Sequence, residues 1–388
     1  MNTLLGFGSN GSGQLGLGHL EDVNTPQPCI GIPRNEAIKK VVGGGNHSAV
    51  LTMSGRLFLA GSSQLGPRQQ KVWENRNASK ADAVITVGHK PYDDYNWTIY
   101  NELYPQHTWH DVACGWAFTL LVNSSGEVFG VGSSAFGELG FVTKQDITEL
   151  CAIAPELLVD IDSVACGWRH CVALDRGGKV YGWGWGKHGQ FGVQDLDHGK
   201  PVSIYSPFTI PIPEPISHVA CGHLHSLILG ALTGKVYGCG VNKNRQIRPA
   251  NDTANVGFLE YCGKPTNTNN MGDGGTQRTK GWQLTAGWHH SAVLAKGGRL
   301  EMWGKDDRGQ LQDGIQNAVE VISGSEHSLA VLDNGDIIAW GWNEHGNCTT
   351  NKDILLTPVV VDLPVDTGKI TILGAGCATS WIGSTPSW

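Results

Sequence analysis

Six glycine-centred stretches in one register constrain this chain more than any other feature. VVGGGNHSAVL from 41, VACGWAFTLLV from 112, VACGWRHCVAL from 164, VACGHLHSLIL from 219, LTAGWHHSAVL from 284 and VISGSEHSLAV from 321 align without gaps. A second glycine follows the first by 11 or 12 residues (Gly55, Gly126, Gly178, Gly234, Gly298, Gly335). A third follows by 17 or 18 (Gly61, Gly132, Gly184, Gly240, Gly304, Gly341). Repetition at this period marks a stacked or ring-shaped architecture. Within a copy, an apolar run such as HCVALD meets a turn, RGG, and then a second run, KVYGWG, which predicts a β-hairpin.

The ends of the chain decide between stack and ring. LGAGCATSWI from 373 is a seventh first half with no second half behind it, and LLGFGSNGSGQLGLG from 4 is a second half with no first half before it. A unit split between the termini has a use only if the array closes, because closure removes the exposed sheet edges that an open solenoid must cap. The reading is therefore all-β: a seven-bladed β-propeller, a single domain over residues 1–388, with one blade closed by the N- and C-terminal segments together. The usual spacing of about 52 residues suits four strands per blade. The step from Gly287 to Gly324 is only 37 residues, so the blade around 304–323 should be reduced. Surface insertions are expected near 67–111 and 249–283, and the latter, with TNTNNMGDGGTQRTKG, reads as a surface loop.

Composition narrows function. Glycine is 54 of 388 residues and charged residues are 16 %, which suits strands joined by tight turns. The net charge of −7 and the lack of a Lys/Arg run predict no direct nucleic-acid partner. No apolar run reaches a membrane-spanning length, so no membrane partner is expected. The start lacks a signal-peptide pattern, which points to a cytoplasmic location with the nucleus as a second compartment. Ten cysteines without a Cys-x-x-Cys pair read as free thiols.

The motif V-x-x-G-x-x-H-S followed by G-x-V-Y-x-W-G-x-N-x-x-G-Q-L-G resembles the regulator-of-chromosome-condensation repeat, over nearly the whole chain outside the two insertions. Three stretches, FGSNGSGQLGLGH with EDVNTPQ (7–27), WGWNEHGNC (340–348) and GCATSW (376–381), resemble a fungal branch of that family, the alpha-tubulin-suppressor or killer-toxin-insensitivity proteins. That resemblance implies a heterodimer with a small CSL-type zinc-finger protein. It also implies a role in diphthamide synthesis on elongation factor two and in Elongator-dependent modification of the tRNA wobble uridine, with the Elongator complex as a further partner. The family's founding member implies the alternative, a guanine-nucleotide exchange factor for a small Ran-like GTPase.

Read residue by residue, the chemistry is sparse. His47, His170, His225, His290 and His327 close five G-x-x-H turns, and Phe118 holds that place in the second copy. A group copied round a ring and exchangeable for phenylalanine is a packing residue with one buried hydrogen bond. Cys114, Cys166 and Cys221 share a register with Gly43, Ala286, Ser323 and Ala375. Seven small residues fit crowding at the axis, and a metal held by the three thiols is the competing reading. No P-loop precedes a helix and no nucleophile–base pair is evident, so neither cofactor nor enzymatic activity is expected.

The variable places inside G-x-x-H should ring one mouth of the channel, on a turn entering an inner strand. They include Asn46, Trp116, Trp168 with Arg169, His223, Trp288 with His289, Glu326 and Cys377. Either each indole packs on its neighbouring blade, or the mouth is an aromatic docking face, for which Trp and Arg are the usual anchors. Trp342, Glu344 and His345, and likewise Trp185, follow a third glycine, with interface contact and turn chemistry both open.

Overall fold

A computed structural model of the chain describes residues 2–61, 96–143, 146–192, 203–247, 255–263, 281–312, 314–349, 352–364 and 368–385. Its strands run β1 (Thr3–Gly8), β2 (Val23–Pro28), β3 (Ile38–Gly43), β4 (His47–Thr52), β5 (Leu57–Gly61), β6 (Asn101–Leu103), β7 (Trp109–Cys114), β8 (Phe118–Asn123), β9 (Val128–Gly132) and β10 (Ile147–Ala152). They continue as β11 (Ile161–Cys166), β12 (His170–Asp175), β13 (Val180–Trp185), β14 (Ser203–Thr209), β15 (Ile216–Cys221), β16 (His225–Gly230), β17 (Val236–Val241) and β18 (Asn255–Gly263). The last are β19 (Gln283–Ala286), β20 (His290–Leu294), β21 (Leu300–Gly304), β22 (Ala318–Ser323), β23 (His327–Leu332), β24 (Ile337–Trp342), β25 (Ile354–Val360), β26 (Lys369–Ala375) and β27 (Thr379–Thr385).

These strands form seven antiparallel sheets, the blades. Blade 1 is β3-β4-β5-β6 from axis to rim, and blades 2, 3, 4 and 6 follow the same plan from β7, β11, β15 and β22. Blade 5, β19-β20-β21, has three strands among the described residues, as the short step requires. Blade 7 is β26-β27-β1-β2. Thr3 to Gly8 pair in unbroken register with Ser384 to Thr379, so the N-terminal segment supplies the two outer strands of the blade that the C-terminus begins. Prolines fall on rim strands (Pro26, Pro28, Pro207, Pro358), where a missing N–H breaks no ladder and blunts an exposed edge.

Among the described residues the core comprises seven apolar clusters, one at each junction between neighbouring blades. At the closing junction Leu4, Leu15 and Trp381 of blade 7 meet Val41, Val50 and Phe58 of blade 1. Each fully buried aliphatic side chain contributes roughly 1.5–3 kcal/mol, so the ring is held by its junctions.

Two of the repeated glycines have plain steric causes. The third glycine carries φ between +90° and +123° in every copy. A Cβ there would stand 2.3–2.7 Å from the carbonyl oxygen two residues after the first glycine, such as Asn46 O or Leu224 O. At the first glycine, as at Gly167, a Cβ would lie 2.1 Å from the ring of the histidine three places on.

Two expectations change. The G-x-x-H turn does not enter an inner strand; it leaves the innermost strand and starts the second, as between β11 and β12. The expected insertions are not wholly loop: β6 and the start of β7 fall within 67–111, and β18 falls within 249–283, pairing with β17. Residues 67–95, and 249–254 and 264–280 of the second insertion, lie outside the described residues.

Candidate functional site

The innermost strands line an axial channel of about 310 Å³. Its wall is the ring of small residues: Gly43, Cys114, Cys166, Cys221, Ala286, Ser323 and Ala375. Burial pushes the Cys114 thiol up to about 12 and Cys221 well above its ordinary range, which keeps both protonated. Among the described residues no group of three His, Cys, Asp or Glu side chains is placed to hold a metal ion, and nine cysteines are free thiols.

Behind this wall the G-x-x-H histidines stitch the blades together. The Nε2 atoms of His47, His170, His225, His290 and His327 lie 2.9–3.1 Å from the hydroxyls of Thr119, Ser226, Ser291, Ser328 and Ser380, each on the next blade. Ser291 and Ser380 donate their own protons to the carbonyls of Gln246 and Asn347. Their oxygens therefore accept, and Nε2 carries the hydrogen. Burial lowers all five histidines to about 3 or 4, so they are neutral at physiological pH. In the second copy Phe118 meets blade 3 where Cys171 replaces the serine, and both sit in one apolar cluster. Donor and acceptor are replaced together, the exchange that leaves no buried group unsatisfied.

The two places before the histidine face the mouth. A collar of backbone hydrogen bonds links turn to turn: Gly45 N–H to Trp116 O at 3.0 Å, Trp116 N–H to Trp168 O at 3.3 Å, Trp168 N–H to His223 O at 3.1 Å and Trp288 N–H to Ser325 O at 2.8 Å. On this collar the aromatic rings make one continuous wall. Trp168 stands 4.7 Å from His223, His223 stacks on Trp288 at 5.2 Å, and Trp288 reaches Trp116 of blade 2 at 5.9 Å. In the other direction Trp168 meets Trp185 at 5.5 Å, and Trp185 meets Phe136 at 5.3 Å. Trp116 remains 37 % exposed. The indoles thus pack on aromatic rings of other blades, and Trp116 also presents a surface.

Charges are fixed within the wall. The Arg169 guanidinium lies 4.4 Å from the Phe136 ring and 4.9 Å from Trp168, with Glu138 beneath it at 3.8 Å. Cation–π contacts and a buried carboxylate hold it in one orientation. His289 is hydrogen-bonded to Glu326, which also accepts from Gln310 at 2.7 Å. Desolvation, the largest influence, pushes Glu326 up, but these hydrogen bonds and the His289 charge outweigh it and leave the carboxyl below its ordinary range. Desolvation, then the charge of His289, brings His223 down to about 4, so the stacked imidazole is neutral.

The structure separates the remaining sites. Asn46 is exposed on the blade 1 turn and Cys377 is half-buried at the channel rim. Trp342, Glu344 and His345 form a second patch at the junction of blades 6 and 7. There Trp342 Nε1 donates to Glu344 at 3.2 Å, and His345 Nδ1 lies 2.7 Å from Asp22 in the N-terminal segment. Besides Trp185, two residues packed in the wall, Phe136 and His188, lie outside the G-x-x-H motif. Both stand four places after a third glycine, and that shared offset is the signal that finds them.

The site keeps its repeated histidines behind the mouth, buried and spent on hydroxyls of the next blade. What it can do is bind: a rigid, aromatic, partly polar concavity, large-sided on blades 2 to 5 and small-sided at Ser325, Cys377 and Gly45.

Comparison with known proteins agrees with the propeller fold. The family model described as RCC1-like domain matches residues 3–382. The mouse secretion-regulating guanine nucleotide exchange factor is 30 % identical, over 97 % of this chain and 82 % of that protein. An RCC1 repeat-containing protein of Schizosaccharomyces pombe is 28 % identical over 98 % of both chains. The Saccharomyces cerevisiae protein Prp20p, whose crystal structure was described with its binding to Gsp1p and histones, superposes with a TM-score of 0.79. The match spans 100 % of this chain and 92 % of that one at 19 % identity, a likeness of fold.

Proposed function

Since the chain belongs to the RCC1-like domain family, we propose that it is a protein-docking propeller whose tryptophan-lined mouth receives a small GTPase and promotes exchange of its bound guanine nucleotide. The observation that carries the docking half is the aromatic wall from Phe136 to Trp116, held on a hydrogen-bonded collar with Trp116 exposed. The identity of the partner is supported by the names of the mouse and bovine relatives, both secretion-regulating guanine nucleotide exchange factors. Exchange needs no covalent chemistry. It needs a rigid surface that binds the nucleotide-free conformer of the GTPase more tightly than the nucleotide-bound one, and so shifts the population toward release. A preformed collar binds at little ordering cost.

The test is release of labelled GDP from purified small GTPases of the same organism, with and without this protein. Acceleration by about tenfold or more, a barrier lowered by about 1.4 kcal/mol, that is lost in Trp116→Ala/Trp288→Ala supports the reading. Unchanged release from every GTPase overturns it.

A second reading, the CSL-type zinc-finger partner, is favoured by one observation. The stretches 7–27, 340–348 and 376–381 converge, with His345 on Asp22, Gly346 against Asn24 and Gly8 beneath the Ala378 carbonyl. Ring closure alone brings them together, so the support is weaker than that of the relatives' names. In this reading the propeller is a non-catalytic scaffold, and the link to diphthamide and tRNA modification belongs to the partner. Calorimetric titration with that protein decides it: one-to-one binding tighter than about 1 μM, roughly 8 kcal/mol, supports the heterodimer, and no heat of binding removes it.

A further inference from the structure

Aligned blade by blade, the third place after the third glycine reads Ala135, Lys187, Lys243, Asp307, Glu344 and Gly11 for blades 2 to 7. These positions lie on the mouth side of their blades, because each third glycine pairs with the residue that closes the G-x-x-H turn, as Gly184 with His170 and Gly240 with His225. One register position therefore puts two lysines side by side on blades 3 and 4 and two carboxylates on blades 5 and 6. The sequence hides this arrangement, since Lys187 and Lys243 are 56 residues apart.

The two halves are not equally satisfied. Asp307 is paired with Lys305 at 2.9 Å, and Glu344 accepts from Trp342. Lys187 and Lys243 are both exposed, and among the described residues no carboxylate pairs with either. Their charges converge: burial, then Lys187 and Lys243, lower the half-buried His188. Glu138, a carboxylate of the wall, is buried and faces Arg169. A chain of net charge −7 thus gathers cations beside its most aromatic surface.

We infer that blades 3 and 4 form the specificity-determining side of the mouth and take an acidic segment of the partner protein, its carboxylates on Lys187 and Lys243 and its apolar side chains on Trp168, Trp185 and His223. The inference rests on the docking reading but not on which partner docks. Exposed lysines beside a desolvated aromatic patch steer an oppositely charged partner and fix its orientation.

The probes are a labelled peptide of repeated Glu-Glu-Leu triplets, the same peptide with glutamine for glutamate, and a labelled oligothymidylate of equal charge. Each is titrated into the full chain by fluorescence anisotropy. The acidic peptide is expected to bind saturably and to weaken as salt rises. Lys187→Glu/Lys243→Glu should weaken it about tenfold with an unchanged melting temperature, and Lys187→Gln/Lys243→Gln should do so by less. Equal binding of the glutamine peptide, no saturable peptide binding, no effect of charge reversal, or tighter binding of the oligothymidylate each overturns the inference. The two failures separate cleanly. Exchange that survives charge reversal but not Trp116→Ala/Trp288→Ala sinks the acidic segment and keeps the docking mouth. Peptide binding lost on charge reversal, without exchange on any GTPase, keeps the acidic segment and sinks the GTPase.

Discussion

The G-x-x-H turn carries two regions with opposite histories. Its histidine is the same in five copies, buried, neutral and bonded to the next blade. The two residues before it differ in nearly every copy, yet they share one collar and one face. In a ring of equivalent units, what repeats answers a need of every junction, and what varies answers something outside the ring. The Phe118–Cys171 pair sharpens the point: even where the histidine layer changes, it changes with its partner. Trp116 instead meets Trp288 across the mouth, and Trp168 reaches Trp288 through His223.

The structural side of this comparison can be broken most severely at the closing blade. Deleting residues 1–18 removes β1 and the buried Leu4, Leu5, Phe7, Leu15 and Leu17. The expected outcome by circular dichroism is loss of cooperative melting. A wild-type transition would mean that the ring closes some other way.

Acid acts on all five histidines together. In an unfolded chain imidazole takes up a proton near pH 6.5, whereas in the fold burial delays protonation to about 3 or 4. Between those values the unfolded chain binds more protons. Stability therefore falls as pH falls below about 6.5, by up to about 1.4 kcal/mol per pH unit for each histidine. Above about pH 7 these groups contribute no slope. Thermal melts from neutral to mildly acidic pH check this, and a flat melting temperature over that span contradicts it.

One histidine gives a smaller effect. His170→Ala opens a cavity and strands the Ser226 hydroxyl, which should cost about 2–4 kcal/mol in denaturant unfolding. His170→Phe/Ser226→Cys copies the pair that blades 2 and 3 already use. It should recover most of that loss and flatten the acid response by one histidine's share. The smallest change is His345→Ala. Its partner Asp22 is about as exposed as His345 itself, so the loss should be within about 1 kcal/mol.

These contrasts also separate what the sequence made legible from what it did not. Blade count, the split blade, the short blade at 304–323 and the small axial ring could be read because each is a position or length in a repeat, and a repeat fixes backbone geometry. The five histidines could be read as packing groups for the same reason. Their partners could not, since they lie 38 to 72 residues away and only closure of the ring brings them near. The G-x-x-H motif falls between the first and second strands of a blade rather than at a blade boundary, so the repeat alone does not show which strand is innermost. Residues 67–111 and 249–283 looked like insertions because β6 and β18 carry no repeat motif. Lys187 and Lys243 belong to neighbouring loops in space and to distant ones in sequence.

The most direct measurement pairs stability with binding in one variant. Trp116→Ala/Trp288→Ala is melted beside the wild type and then titrated with the partner identified by GDP release or by calorimetry. With Trp116 exposed and Trp288 half-buried, the double change should cost little melting temperature, while partner affinity falls by tenfold or more, about 1.4 kcal/mol. A markedly lower melting temperature with unchanged affinity would place the tryptophans with the histidines, as packing between blades, and would contradict the docking mouth.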